Sequence, residues 1–139
     1  MKIPGSLNPS ARVVAACEKW WSQYKGDCSG FVKAVAKVLG VPLTGLADDI
    51  VDEIKLPPWM LLGSGVEAAQ KASLGLVIGA LKATPHGHVV VVVPGALAHG
   101  KYPTAYWGTL NGTGRQNATI NWAWDARHRD KVVYAWRTI

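Results

Sequence analysis

The stretch Gly26-Asp27-Cys28-Ser29-Gly30-Phe31, with the apolar run 32–40 that follows it, constrains this chain more than any other. Asp27 is a helix N-cap, because its carboxylate can accept from the unpaired amides of a first turn, and Gly40 ahead of Pro42 is a stop. Between these ends only Lys33 and Lys37 are strongly polar, four residues apart on one side. Every other side of the helix is apolar, so the pattern predicts a helix at the centre of the molecule with Cys28 as its first residue. A helix N-terminus offers free amides and partial positive charge, which favour thiolate over thiol and lower a cysteine pKa. Cys28 is therefore either a nucleophile or, as most free cysteines are, a small buried apolar group.

Around that helix the chain divides into two halves. Asn8-Pro9 caps a helix over 10–24, with Val13, Val14, Cys17, Trp20, Trp21 and Tyr24 on one face, and Cys17 is expected to pack within it. Residues 46–55 repeat the pattern, with Asp48, Asp49, Asp52 and Glu53 opposite the apolar side. Their spacing is not that of a calcium loop and reads as a solvated face. Pro57-Pro58 ends this helix, 59–62 is an apolar patch without an assigned use, and Ser64 with Glu67 opens a short helix to about residue 73. From residue 74 the period changes. Strands are expected over 74–81, 88–93, 102–110 and 131–136, while 118–130 reads equally as strand or helical turn. Helices first and strands after them indicate an α+β domain, N-terminal helices packed on a C-terminal antiparallel sheet.

At 139 residues, 49% of them apolar, the chain is expected to form one domain over 1–139. Met1-Lys2-Ile3-Pro4-Gly5-Ser6 lacks the apolar core of a signal peptide, and no run approaches the about 18 residues of a membrane span. A soluble protein without a Sec-type address is expected. Two cysteines make no disulfide framework, which suits reducing cytosol. The net charge of +6 favours an anionic partner, but the basic residues are scattered, which argues against nucleic acid. Seven tryptophans are candidates for the core or for a groove.

A cysteine nucleophile needs a base, and His86, His88, His99 and His128 are available. His88 is the best placed: it opens a strand directly after Gly87 and shares a face with Val90 and Val92, where a helix carrying Cys28 could meet it. Such a pair would exist as thiolate and imidazolium. His86, His88 and Cys28 could instead ligate zinc, but a fourth ligand and paired spacings are missing. Asn111-Gly112-Thr113-Gly114-Arg115 is a hairpin turn before it is an anion-binding nest.

Asp27-Cys28-Ser29-Gly30-Phe31-Val32, followed sixty positions on by Gly87-His88-Val89-Val90-Val91-Val92, resembles the Cys-Ser-Gly-Phe and Gly-His-Val motifs of papain-like NlpC-type amidases. More narrowly, Leu39-Gly40-Val41-Pro42, Gly63-Ser64-Gly65-Val66-Glu67-Ala68-Ala69-Gln70-Lys71-Ala72 and Lys101-Tyr102-Pro103 resemble family one of the type VI secretion amidase effectors. The resemblance implies a papain-like fold with Cys28 as nucleophile and His88 as base, and neither metal nor cofactor. It implies hydrolysis of the D-glutamyl to diaminopimelate amide bond of peptidoglycan stem peptides by a monomer delivered without a signal peptide from the cytoplasm to a competitor's periplasm. The partners implied are the stem peptides and a cognate periplasmic immunity protein, not nucleic acid or membrane. Asp27, Ser29, Trp107 and Asn111 become candidate orienting or substrate-binding residues; a backbone carbonyl near Trp107, or else Asn111, would orient His88. Two rivals stand beside this: an acyltransferase on the same scaffold, and a non-catalytic wall-binding module in which Trp107, Trp122 and Trp124 stack on sugars or peptide.

Overall fold

A computed structural model describes residues 8–139, so the reading of Met1 to Ser6 lies outside the described residues. Four helices are formed among them: α1 (Pro9–Tyr24), α2 (Cys28–Val38), α3 (Ala47–Glu53) and α4 (Gly65–Lys71). Six strands, β1 (Met60–Leu62), β2 (Leu76–Leu81), β3 (His88–Val92), β4 (Thr104–Trp107), β5 (Arg115–Thr119) and β6 (Val133–Arg137), make one antiparallel sheet in the order β1-β6-β2-β3-β4-β5. Asn8 caps α1 by accepting from the Ala11 amide at 2.8 Å, and Ser64 caps α4 by accepting from the Glu67 amide at 3.1 Å. No helix among the described residues is long and apolar enough to cross a membrane.

Period-two alternation sorts the sheet's side chains into two layers. Val89, Val91 and Val93 join Leu76, Ile78 and Ala80 beneath α1, α2 and α3, where Phe31, Val32, Val35 and Ala36 of α2 are fully buried. The helix expected to be central is central. Val77, Val90, Val92, Trp107 and Tyr134 face the other way and are covered by α4, Tyr102 and Ile120. Being buried on both faces, β2 and β3 carry unbroken apolar runs instead of alternating ones. Tyr106 Oη donates to Glu18 Oε1 at 2.7 Å and ties α1 to β4.

Two strands are additions to the expected set. The apolar patch at 59–62 supplies β1, which pairs Met60 with Trp136 and Leu62 with Tyr134 at one edge of the sheet. β5 forms the opposite edge; its residues Arg115-Gln116-Asn117 are exposed and polar, so no apolar alternation marks it. The ambiguous interval resolves into the end of β5 and two 3-10 turns, Ile120–Trp122 and Arg129–Lys131. The acids of α3 are spent on local contacts. Asp49 accepts from the Leu46 amide at 2.9 Å, Asp52 pairs with Lys82 at 2.7 Å, and Glu53 accepts from Thr44 at 3.3 Å.

Candidate active site

Asp27 Oδ1 accepts from the Gly30 amide at 3.0 Å and from Ser29 Oγ at 3.4 Å, which fixes the first turn of α2. The amides of Cys28 and Ser29 are directed at the Cys28 sulfur, and the amide of Val89, at the head of β3, approaches the sulfur from the sheet. Cys28 is 8% exposed, so its thiol sits in the wall of the molecule without being sealed inside it. Burial pushes this thiol above the ordinary cysteine value, the Val89 and Ser29 amides pull it back, and the Asp27 carboxylate raises it again. The lowered pKa expected from the helix end is therefore overturned: desolvation outweighs the amides, and the thiol is held above its ordinary value. Cys17 is fully buried in the core, its thiol also raised by burial, and both cysteines are free.

His88 shares its face with Val90 and Val92 as expected, but α2 packs on the opposite face, against Val89 and Val91. The reason is composition: the odd positions of β3 are all valine, which the helical layer can bury, and the polar ring is left to the other side. There it packs edge-on against Trp124, with ring centroids 5.1 Å apart, and against Trp107, at 6.5 Å. The expected meeting of ring and sulfur on one sheet face is therefore not made: His88 lies on the face opposite α2, and the residue next to it, Val89, is the one whose amide approaches the sulfur. Burial alone lowers the imidazole to about 4, so the ring is neutral at pH 7 and has a free lone pair. Gly87 just before it fits because a β-carbon there would collide with the Leu81 carbonyl and the Asp48 carboxylate.

Trp107 contributes its ring to His88, and its own carbonyl, one of those near Trp107 from which an orienting group was expected, accepts from Trp21 Nε1 at 3.0 Å. Asn111 lies exposed in the β4–β5 turn, in the left-handed region at φ 59°. That turn is bound by backbone to the connection between α1 and α2: the Lys25 carbonyl accepts from the amides of Thr109 at 2.9 Å and Gly114 at 2.8 Å. Gly108 makes the approach possible, since a β-carbon at 108 would overlap the carbonyls of Tyr24 and Asp27. His86 is exposed in a turn, and His128 pairs with Asp125 at 2.6 Å. Among the described residues no three His, Cys, Asp or Glu side chains converge as a metal site.

A scan of protein families finds no match to the chain. A curated peptidoglycan amidase Tse1 of Pseudomonas aeruginosa is 40% identical over 134 residues, covering 88% of this chain and 86% of that protein. The chain belongs to the Tse1 family.

The likeness to family one of the type VI secretion amidase effectors, drawn from the motifs alone, is borne out, and with it the α+β arrangement of helices on an antiparallel sheet. In this Tse1-family chain the groups that sequence reasoning passed over are Trp21 and the Lys25 carbonyl, while Trp124, read there only as a stacking group of a wall-binding module, packs on His88. Trp21 was legible only as part of the α1 stripe, and a carbonyl leaves no mark in a sequence. Trp124 falls in the interval whose period is ambiguous.

The neutral imidazole makes a stability prediction. With a folded value of about 4 against 6.5 unfolded, the unfolded chain takes up this proton first as pH falls. Above pH 6.5 the group is neutral in both states; between pH 6.5 and 4 it costs stability progressively, by about 3 kcal/mol at the end of the window. Denaturant unfolding at pH 7 and at pH 4.5 is expected to show the wild type losing about 2 to 3 kcal/mol more than His88→Gln. Equal losses would place the ring in solvent.

Proposed function

We propose that the chain is a cysteine amidase that hydrolyses the D-glutamyl to diaminopimelate bond of peptidoglycan stem peptides, with Cys28 as nucleophile and His88 as general base. The observation that carries this is the Cys28 sulfur at the start of a buried helix, touched by the amide next to a neutral His88, in a chain 40% identical to a peptidoglycan amidase. In this reading the pair works as thiol and imidazole: the neutral ring takes the thiol proton as the sulfur attacks the amide carbonyl. The amides of Cys28 and Ser29 hold the oxyanion, worth about 3 kcal/mol per donor. Imidazolium then protonates the departing amine as the C–N bond breaks. A water, deprotonated by the same ring, splits the thioester and frees the carboxylic acid. Trp124 and Trp107 hold the ring, and Asp27 and Ser29 hold the helix start.

In this proposal residues 1–139 act as one catalytic domain, a monomer delivered by type VI secretion to the periplasm of a target cell. A cognate immunity protein protects the producer there. The support is the family. Digestion of purified sacculi, separation of the muropeptides and mass measurement test the bond. The expected products carry a new carboxyl on D-glutamate and a new amine on diaminopimelate. Masses that show an acyl group passed to an acceptor would make the chain a transferase, and an unchanged profile would make it a binding module.

A further inference from the structure

The turn Ile120–Trp122 presents two indoles in opposite directions: Trp124, just beyond it, packs on His88, while Trp122 is 63% exposed. Arg115 lies over one face of the Trp122 ring with its guanidinium carbon 4.5 Å from the centroid, a cation–π contact that leaves the other face to solvent. The ring borders an open groove of about 490 Å³ whose wall includes Pro94, Thr104, Asn117 and Thr119. Asn117 stands there in the left-handed region, at φ 50°, within a register shift between β4 and β5 that leaves it without a partner in the ladder. A bulge of this kind aims a side chain, and asparagine is among the few non-glycine residues that take this backbone conformation readily. Thr104 Oγ1 donates to the Ala96 carbonyl at 2.7 Å, so its oxygen can accept a second bond.

A solvent-facing indole beside amide and hydroxyl groups is the chemistry that takes a pyranose: the C–H face of the sugar on the free face of the ring, its hydroxyl and acetamido groups on the polar wall. A free peptide or a lipid surface would call for a deeper apolar pocket or a basic cluster, and this wall has neither. We propose that this groove is a glycan subsite, which seats an N-acetylated amino sugar of the peptidoglycan strand while the attached stem peptide enters the Cys28 site. The turn that carries Trp122 also carries the wall of His88, so sugar and scissile bond are held by one short segment. The inference rests on the amidase reading for its substrate, but its ligand is distinct.

Trp122→Ala removes an exposed ring and Asn117→Gly removes the amide while relieving the backbone, so both variants fold. Each is expected to raise KM about tenfold on glycan-bearing muropeptides, with kcat unchanged and with the sugar-free stem peptide cleaved as by wild type. Equal effects on the two substrates, or none, would overturn the subsite. The same proteins titrated with a peptide-free oligomer of N-acetylglucosamine, followed by the indole N–H resonances, separate the two readings. Saturable shifts of one indole in wild type, lost in Trp122→Ala, support the subsite even if no amide is cleaved. Their absence overturns it even if cleavage is efficient.

Discussion

Cys28→Ala is expected to abolish digestion of purified sacculi, lowering the rate by about 10⁵-fold or more, because no other group at the head of β3 can form the thioester. Its fold is expected to survive. The substitution removes one sulfur from a site that is 8% exposed, and a capped helix start remains around it, so stability should move by no more than about 1 kcal/mol. Circular dichroism and denaturant unfolding check the second statement while muropeptide release checks the first. Cys17→Ala is the control: fully buried on the apolar face of α1, it is expected to alter stability and leave turnover intact. Turnover by Cys28→Ala at the wild-type rate would end the proposed mechanism.

His88→Gln is expected to lower kcat by about 10³-fold, the usual contribution of a positioned acid and base, with KM little changed. The pH profile separates the neutral pair from an ion pair. A base titrating near 4 places the acid limb of kcat/KM near pH 4, and a thiol held above its ordinary value of 9.0 keeps the plateau level through neutrality. A thiolate-imidazolium pair would instead show a bell bounded below by the cysteine and above by the histidine. An acid limb at pH 6.5 or higher would mean that the Trp107 and Trp124 rings do not desolvate His88 as they do in this structure.

Much of this arrangement was legible in the residues, for physical reasons that differ from element to element. α2 announced itself because Asp27, Gly40 and an almost wholly apolar run leave no other structure available. β2 and β3 were legible as strands because β-branched runs bounded by turns have few alternatives. β5 was not, since an exposed edge strand need not alternate, and the three residues of β1 take their strand character from pairing with β6. At the site, the types Cys28 and His88 and their spacing could be read along the chain. The side of β3 on which α2 lies could not, because it depends on which of two apolar faces the helical layer covers. Nor could the sign of the thiol's shift, which is a contest between burial and amides that only three-dimensional packing decides.

The tie between the β4–β5 turn and the segment ahead of Cys28 runs through main-chain atoms, the Lys25 carbonyl receiving Thr109 and Gly114, with an indole from α1 on the Trp107 carbonyl. Attachment of that kind is indifferent to what the outer turn residues carry. Leu110 and Thr113 can therefore be exchanged, or bear a fluorophore, while the segment ahead of Cys28 keeps its place, which makes this tip a natural anchorage for a reporter.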